Sequence, residues 1–324
     1  MAGKHIKQMI AAYRDGDDLA FRRAAQAIID EEEAKRHPAL AREMRQLLAN
    51  AAGHAVSVDI TPVPNPPMDP ERDMPLADIA PPRRYLRDLV LDDPLYRELE
   101  RLVLETRRWS DIDAAGLPRR QRLLLHGPPG CGKSSIAEAL AGELGRLLVT
   151  VRVDAVMSSY LGETASNLRR LFEFAGTGPF VMLFDEFDAL GKERGDPADH
   201  GELRRVVNAF LQLLDRFRGP SLLIAATNHE AVLDYALWRR FDDVLEVPIP
   251  TIDDLVQVLQ AELRGSLGIE FIRGAAERLH GLPHAAAERV ARDTLRGALL
   301  DNSPRVTPTY LDEAVNRALS RPWT

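Results

Sequence analysis

Gly127-Pro128-Pro129-Gly130-Cys131-Gly132-Lys133-Ser134 has the G-x-x-x-x-G-K-[ST] spacing, in which a glycine-rich turn delivers a lysine and a hydroxyl to the start of a helix. Glycines let consecutive backbone N–H groups turn inward, and the following helix adds the partial positive charge of its N-terminus, so the segment is a cradle for phosphate oxygens. Lys133 would neutralise the β- and γ-phosphates, and the Ser134 hydroxyl is a hard oxygen ligand suited to Mg²⁺. With Ser135 beginning the helix, residues Gly127 to Ser135 form the candidate nucleotide-binding set. Further along, the apolar run Val181-Met182-Leu183-Phe184 ends in two acids, Asp185 and Glu186. Acids at a strand end, following a phosphate loop, divide the remaining work: Asp185 holds the hydrated Mg²⁺, while Glu186 orients and polarises the attacking water. The chemistry implied is hydrolysis of a nucleoside triphosphate. Cys131 reads as a loop residue beside the nucleotide rather than a nucleophile, and Asp188 as a surface or capping residue.

Such residues need strands and helices to hold them. The apolar runs Leu123 to Leu125, Leu147 to Val151, Phe180 to Phe184, Leu222 to Ala226 and Val244 to Val247 are short enough for buried strands, and helical patterns, such as Ser135 to Leu144, fill the intervals. That alternation predicts an α/β fold with a parallel sheet covered on both faces. From Ile252 the strand signal fades, and Leu255 to Leu263, Ala286 to Leu300 and Tyr310 to Leu319 read as helices. Near the N-terminus, Ile6, Met9, Ile10 and Tyr13, then Leu19, Phe21, Ala24, Ile28 and Ile29, also carry helical spacing. Between these regions Pro62, Pro64, Pro66, Pro67, Pro70, Pro75, Pro81 and Pro82 favour extended backbone and suggest a semi-rigid linker. The expected organisation is a helical module over residues 1–50, a linker over 51–84, a large α/β domain over 85–250 and a helical domain over 251–324.

Composition narrows the partners. The 324 residues are 45% apolar, ample for a buried core, and Lys+Arg 42 against Asp+Glu 49 leaves a net charge of -7. General attraction to nucleic acid or to an anionic membrane has no support from that balance. The single cysteine excludes an internal disulfide and a cysteine-built zinc site, in keeping with a reducing cytosol. Apolar runs fall well short of the ~20 residues that span a bilayer, and no signal-peptide core follows Met1, so the expectation is a cytoplasmic chain.

From about Leu86 to the C-terminus the chain resembles the AAA family of ATPases, in its protein-remodelling branch. The resemblance implies a P-loop NTPase core with a C-terminal helical lid, ATP and Mg²⁺ as ligands, and further roles at matching positions. Leu222 to Asn228 is similar to the strand that carries the family's sensor, where Asn228 would hydrogen-bond the γ-phosphate or the lytic water. Ala236-Leu237-Trp238-Arg239-Arg240-Phe241-Asp242 resembles the arginine-finger segment, although relatives commonly place Pro-Gly between the arginines. Guanidinium groups suit that role because they are permanently charged and fork onto phosphate oxygens. Fingers acting on a neighbour's nucleotide imply a homo-oligomeric ring, usually a hexamer. Ser159-Tyr160-Leu161-Gly162-Glu163 resembles the pore loop of members that thread polypeptides, with Tyr160 and Leu161 as the gripping pair, and residues 191–201 occupy the place of a second pore loop. Residues 202–216 resemble the family's interface helix. Gly281-Leu282-Pro283-His284-Ala285-Ala286 stands where relatives begin a lid helix near the adenosine; Ala285 is the carried-over contact, and His284 reads as a helix-start residue. The implied client is a protein substrate or partner enzyme, engaged through the N-terminal helices. Two other readings stay open: a DNA-associated loader or helper, supported by the basic pairs Arg22-Arg23, Arg169-Arg170 and Arg204-Arg205, and an ATP-dependent switch controlling a partner enzyme.

Overall fold

The structure, a computed structural model, describes residues 25, 27–29, 63–157, 161–187, 199–228, 238–301, 303 and 305–323. The chain divides into two compact units, Met1–Asp59 and Ile60–Thr324. In the first, Ala25, Ala27, Ile28 and Ile29 are helical, and Ile28 and Ile29 are buried, as their place on the apolar face requires.

The second unit is built on a six-stranded sheet. Its strands are β3 (Ala77–Ala80), β4 (Arg122–His126), β5 (Leu148–Val151), β6 (Val181–Phe184), β7 (Leu222–Thr227) and β8 (Asp243–Glu246), in the spatial order β3-β5-β6-β7-β4-β8. The five strands from β4 onward run parallel, and β3 closes one edge antiparallel to β5. Parallel strands need crossovers, which are supplied by α1 (Asp93–Arg107) and α2 (Trp109–Ala114) ahead of β4, α3 (Lys133–Leu144), a short α4 (Val153–Val156), α5 (Leu161–Ala175) and α6 (Asp199–Arg216). Strand side chains alternate between two cores. Leu124, Met182, Phe184, Leu223 and Ala225 face one, where Phe172, Phe184, Phe187 and Phe210 pack edge to face or tilted; Leu123, Leu125, Val181, Leu183, Leu222 and Ile224 face the other, against α1 and α3. Both faces are therefore dry, which is why β6 and β7 read as unbroken apolar runs.

After β8 the chain becomes helical. Thr251 caps α7 (Ile252–Leu263): its hydroxyl accepts from Asp254 N at 3.2 Å, while Thr251 N donates to the Asp254 carboxylate at 2.9 Å. α7, α8 (Ile269–Arg278), α9 (His284–Leu300) and α10 (Pro308–Leu319) bury their apolar faces on one another, around Leu255, Leu259, Leu263, Ile272, Val290 and Val315. The fold is the expected P-loop sheet core with a helical lid.

Two features depart from the sequence reading. The Pro-rich stretch is not all linker: β1 (Met68–Asp69) and β2 (Met74–Pro75) form a hairpin, and Ala77–Ala80 joins the main sheet as β3. Edge strands tolerate nearby prolines because one side of each needs no ladder donor. Residues 161–163, read as loop, open helix α5.

Candidate functional site

The phosphate loop is shaped by three left-handed glycines, Gly127 (φ 138°), Gly130 (φ 74°) and Gly132 (φ 99°). At Gly127 the requirement is also steric, because a Cβ there would stand 2.2 Å from the Val247 carbonyl oxygen. The chain thus leaves β4 pressed against the residue that follows β8, with Val247 N donating to His126 O at 2.7 Å. The loop then runs directly into α3, whose Ile136, Ala137, Ala139 and Leu140 are fully buried and fix the helix against the sheet. Lys133, in the first turn, is buried and donates from Nζ to the carbonyls of Gly127 and Pro128 at 2.7 and 2.8 Å, so its charge lies inside the curve of the loop. Ser134 is exposed, and its Oγ donates to Asp185 Oδ2 at 2.5 Å.

Strand order does the rest of the gathering. β7 lies between β6 and β4, so Asn228, just past the end of β7, comes between the acids and the phosphate loop. Lys133, Ser134, Asp185, Glu186 and Asn228 line one cavity of about 360 Å³, closed on its far side by His284, Ala285 and Glu288 of α9. Glu186 is exposed and holds a left-handed backbone (φ 48°), with its N–H donating to Asp185 Oδ1 at 2.9 Å. A glutamate in that conformation is strained, and strain of this kind is retained where an orientation matters.

The lid docks on the loop itself. Ala285 N donates to Gly130 O at 3.1 Å, and a Cβ on Gly130 would come within 3.2 Å of both Pro283 and Ala285. A second cavity, about 220 Å³, opens beside the first and shares Gly132, Ser135, His284 and Glu288 with it. Leu89, Val90 and Leu91, and Val258 and Ala261 of α7, supply apolar lining, while Arg84, Asp88, Ser135, Glu262 and Glu288 add polar groups to it. The segment bearing Leu89 to Leu91 follows a stretch pinned along α3. Arg84 donates to Ser135 Oγ at 2.9 Å, Arg83 N to Glu138 at 3.1 Å and Leu86 N to Glu143 at 3.2 Å. A polyphosphate cradle beside a cavity of mixed apolar and polar lining suits a nucleoside triphosphate.

Comparison with known proteins agrees. The profile described as "ATPase family associated with various cellular activities (AAA)" matches residues 123–249. The chain is 39% identical over 318 residues to the AAA family ATPase y4kL of Sinorhizobium fredii, covering 98% of this chain and 94% of that one. It belongs to the AAA family of ATPases. The protein is accordingly an ATP-binding ATPase. It is also 35% identical over 218 residues to the proteasome-activating nucleotidase of Pyrococcus horikoshii, which spans 64% of this chain but only 54% of that protein. Among solved structures, the FIGL-1 AAA domain shares the fold at TM-score 0.62 and 23% identity, covering 77% of this chain and 87% of that one.

Ser134 and Asp185 are a pair of hard oxygen donors already in contact, a set that suits Mg²⁺, which takes few protein ligands and keeps several waters. No group of three or more His, Cys, Asp or Glu side chains able to hold a metal occurs among the described residues, so any such ion would rest on this pair and on phosphate oxygens. Cys131 is buried, and burial pushes its thiol up, away from the thiolate a nucleophile needs.

The arginines lie elsewhere. Arg240 pairs with Asp215 at the end of α6, and Asp215 is also 3.8 Å from Arg122, the first residue of β4. Asp242 fastens the same segment there, accepting from the N–H groups of Gln121 and Arg122 at 3.0 Å each. Arg240 is thus at the opposite end of β4 from its own phosphate loop, while Arg239 is exposed. Trp238 stands edge-on to His126, with ring centroids 5.0 Å apart. Tyr160 and Asp188 lie outside the described residues, as does 191–198; Leu161 is the first residue of α5. Sequence reasoning did not find the walls of the second cavity, whose only signal was the short apolar run Leu89-Val90-Leu91, and it placed His284 as a helix start without a part in the site.

Proposed function

We propose that this ATPase works as a ring, most simply a hexamer, in which Mg²⁺-bound ATP lies on Gly127 to Ser135 and is hydrolysed between neighbouring subunits. Lys133 neutralises the terminal phosphates, and Ser134 and Asp185 hold the metal, which neutralises charge developing on the phosphoryl oxygens. Glu186 takes the proton of the attacking water, and Asn228 orients that water or the terminal phosphate. Arg239 and Arg240 reach the nucleotide of the adjacent subunit. The turnover so coupled remodels or translocates a protein substrate, with Tyr160 and Leu161, the latter at the start of α5, as the gripping pair and the N-terminal helices as adaptor. Three units serve this work: the N-terminal module (1–50), the ATPase core, which takes in the hairpin and edge strand of the Pro-rich stretch and runs to residue 250, and the lid (251–324).

The position of Arg240 carries the reading. β4 has five residues, a span of roughly 13 Å at ~3.3 Å per residue, and Arg240 is anchored at its start whereas the phosphate loop follows its end. An arginine so placed is remote from its own phosphate loop, which supports its acting on ATP in another copy of the chain. A protein client is favoured by the acidic balance of the chain and by relatives such as the proteasome-activating nucleotidase. A cytoplasmic setting fits the lack, among the described residues, of any helix long and apolar enough to cross a membrane. The test is complementation. Arg240→Ala subunits and Lys133→Ala subunits should each be inactive alone, and mixing them should restore ATPase activity at interfaces that join an intact loop to an intact finger. No recovery in assembled mixtures would overturn the shared site.

A further inference from the structure

Side chains alternate along β4, so Leu123 and Leu125 enter the core beside α1 and α3, while Arg122, Leu124 and His126 share the opposite face. The segment that bears Arg239 and Arg240 touches that second face at both ends. At the start of the strand, Asp242 N donates to Arg122 O at 2.8 Å, and Arg122 Nε donates to Asp242 Oδ2 at 3.0 Å. At the other end, beside Gly127, the Trp238 ring meets His126 edge to face and packs at the margin of the core that holds Leu124 and Phe241. Between the two points the backbone turns, with Phe241 N donating to Trp238 O at 3.3 Å, and the turn carries both arginines. Neither anchor uses a guanidinium of the turn, so both can persist when Arg240 leaves Asp215.

We infer that Trp238 is a positioning residue for hydrolysis: its ring, seated on His126, fixes the turn from which Arg239 and Arg240 reach the nucleotide of the adjacent subunit. This rests on the shared-site reading above, but assigns a role to a side chain that touches no nucleotide. A guanidinium stabilises a phosphoryl oxygen only where it is held in place, and a misplacement of about 1 Å can cost about 100-fold in rate. An aromatic ring is suited to fix a turn because it is rigid and its electropositive edge meets a second ring in a preferred geometry. Without that seat the turn is held at its Asp242 end alone, and the arginines before it are free to swing.

The test uses assembled full chains and reads ATP affinity, kcat and complementation together. Trp238→Leu, which keeps apolar bulk in the core but removes the ring, should bind ATP as the parent does and lose kcat about 10- to 100-fold. Trp238→Phe, which keeps a ring, should retain most of the parent's kcat. Mixed with Lys133→Ala subunits, Trp238→Leu subunits should recover about as much activity as Arg240→Ala subunits do, because each supplies an intact loop to an intact finger. Mixed with Arg240→Ala subunits they should recover none, since both partners then lack a working finger. A structural role would instead lower ATP affinity at the variant's own loop, or block recovery with Lys133→Ala. Either of those results, an unchanged kcat in Trp238→Leu, or an equal loss of kcat in the Leu and Phe variants would overturn the role given to Trp238. Failure of the shared site itself shows separately, as no recovery in the mixture of Arg240→Ala and Lys133→Ala, and would overturn this inference with it.

Discussion

Ser134 Oγ donates to Asp185 Oδ2 across the end of β7, joining the first turn of α3 to the end of β6. The two oxygens lie within hydrogen-bond distance of each other, close enough to share one divalent cation under the proposed mechanism. Asp185→Asn keeps the shape and an acceptor for Ser134 but removes the charge. We expect ATP binding in that variant to lose its enhancement by Mg²⁺, and turnover to fall at least about 100-fold, the equivalent of about 2.7 kcal/mol of barrier. Nucleotide affinity measured with Mg²⁺ and with a chelator, alongside phosphate release, checks both parts. Affinity that still rises with Mg²⁺ as in the parent would remove Asp185 from the metal site.

Glu186 offers a trade between stability and activity. Its left-handed backbone costs ~1–2 kcal/mol for a residue with a side chain. Glycine would avoid that cost but adds backbone freedom to the unfolded chain worth roughly 0.5–1 kcal/mol. Glu186→Gly should therefore stabilise the fold by up to about 1.5 kcal/mol in urea unfolding, while turnover drops about 10²–10⁴-fold with loss of the proposed base. Glu186→Gln should lose the same activity without the gain in stability. A Gly variant that is both less stable and active would contradict the strain and the role together.

How much of this was legible in the sequence depends on distance along the chain. Gly127 to Ser134 carries its chemistry in local spacing, and Asp185-Glu186 in the apolar run before it, so these residues could be named before their geometry was known. The strands of the sheet were equally visible, because burial on both faces leaves unbroken apolar runs. Ala77–Ala80 has no such run; it becomes a strand only through its pairing with β5. The place of Asn228 between loop and acids depends on β7 entering the sheet between β6 and β4, an order that differs from chain order. α8 was missed because it is short and its buried face rests on small residues, Ala275 and Ala276, beside Ile272. For His284 nothing local signals a place on the lining of both cavities; it arrives there through the docking of α9 onto Gly130, a contact between segments far apart in sequence.

The Arg240–Asp215 pair must be breakable if the guanidinium is to reach another subunit. Both side chains are partly exposed, and pairs of that kind contribute about 0.2–1 kcal/mol. A double-mutant cycle with Arg240→Ala and Asp215→Ala in urea unfolding should return a coupling in that range. Asp215→Ala should keep ATPase activity, since it releases the arginine without removing it. A coupling of several kcal/mol, or an Asp215→Ala variant as inactive as Arg240→Ala, would mark the pair as a structural fixture.

Asp69 tests how firmly the Pro-rich segment is built into the fold. Its side chain is buried; Oδ1 accepts from Glu71 N at 3.0 Å and Arg72 N at 3.4 Å, and Oδ2 from Asn167 Nδ2 of α5 at 3.2 Å. The Glu71 N–H above all holds its carboxyl below the ordinary 3.8, against the opposing effect of burial, with Asn167 adding to the lowering. A depressed carboxylate stabilises the fold fully above 3.8, and that contribution fades as pH falls through 3.8 toward the folded value. Glu71 runs the other way: the Glu163 carboxyl beside it raises its pKa above 4.5, so the stabilisation it provides is greatest at low pH and fades as pH rises. The Asp69 share is isolated by comparing the parent with Asp69→Asn, in which the acceptors remain in part and the charge does not. The urea midpoint of the parent should exceed that of the variant from pH 7 down to about 4.5, and the gap should narrow as pH falls below 3.8. A difference that persists undiminished at pH 3 would mean that Asp69 acts through shape alone and that its charge plays no part in holding the hairpin to α5.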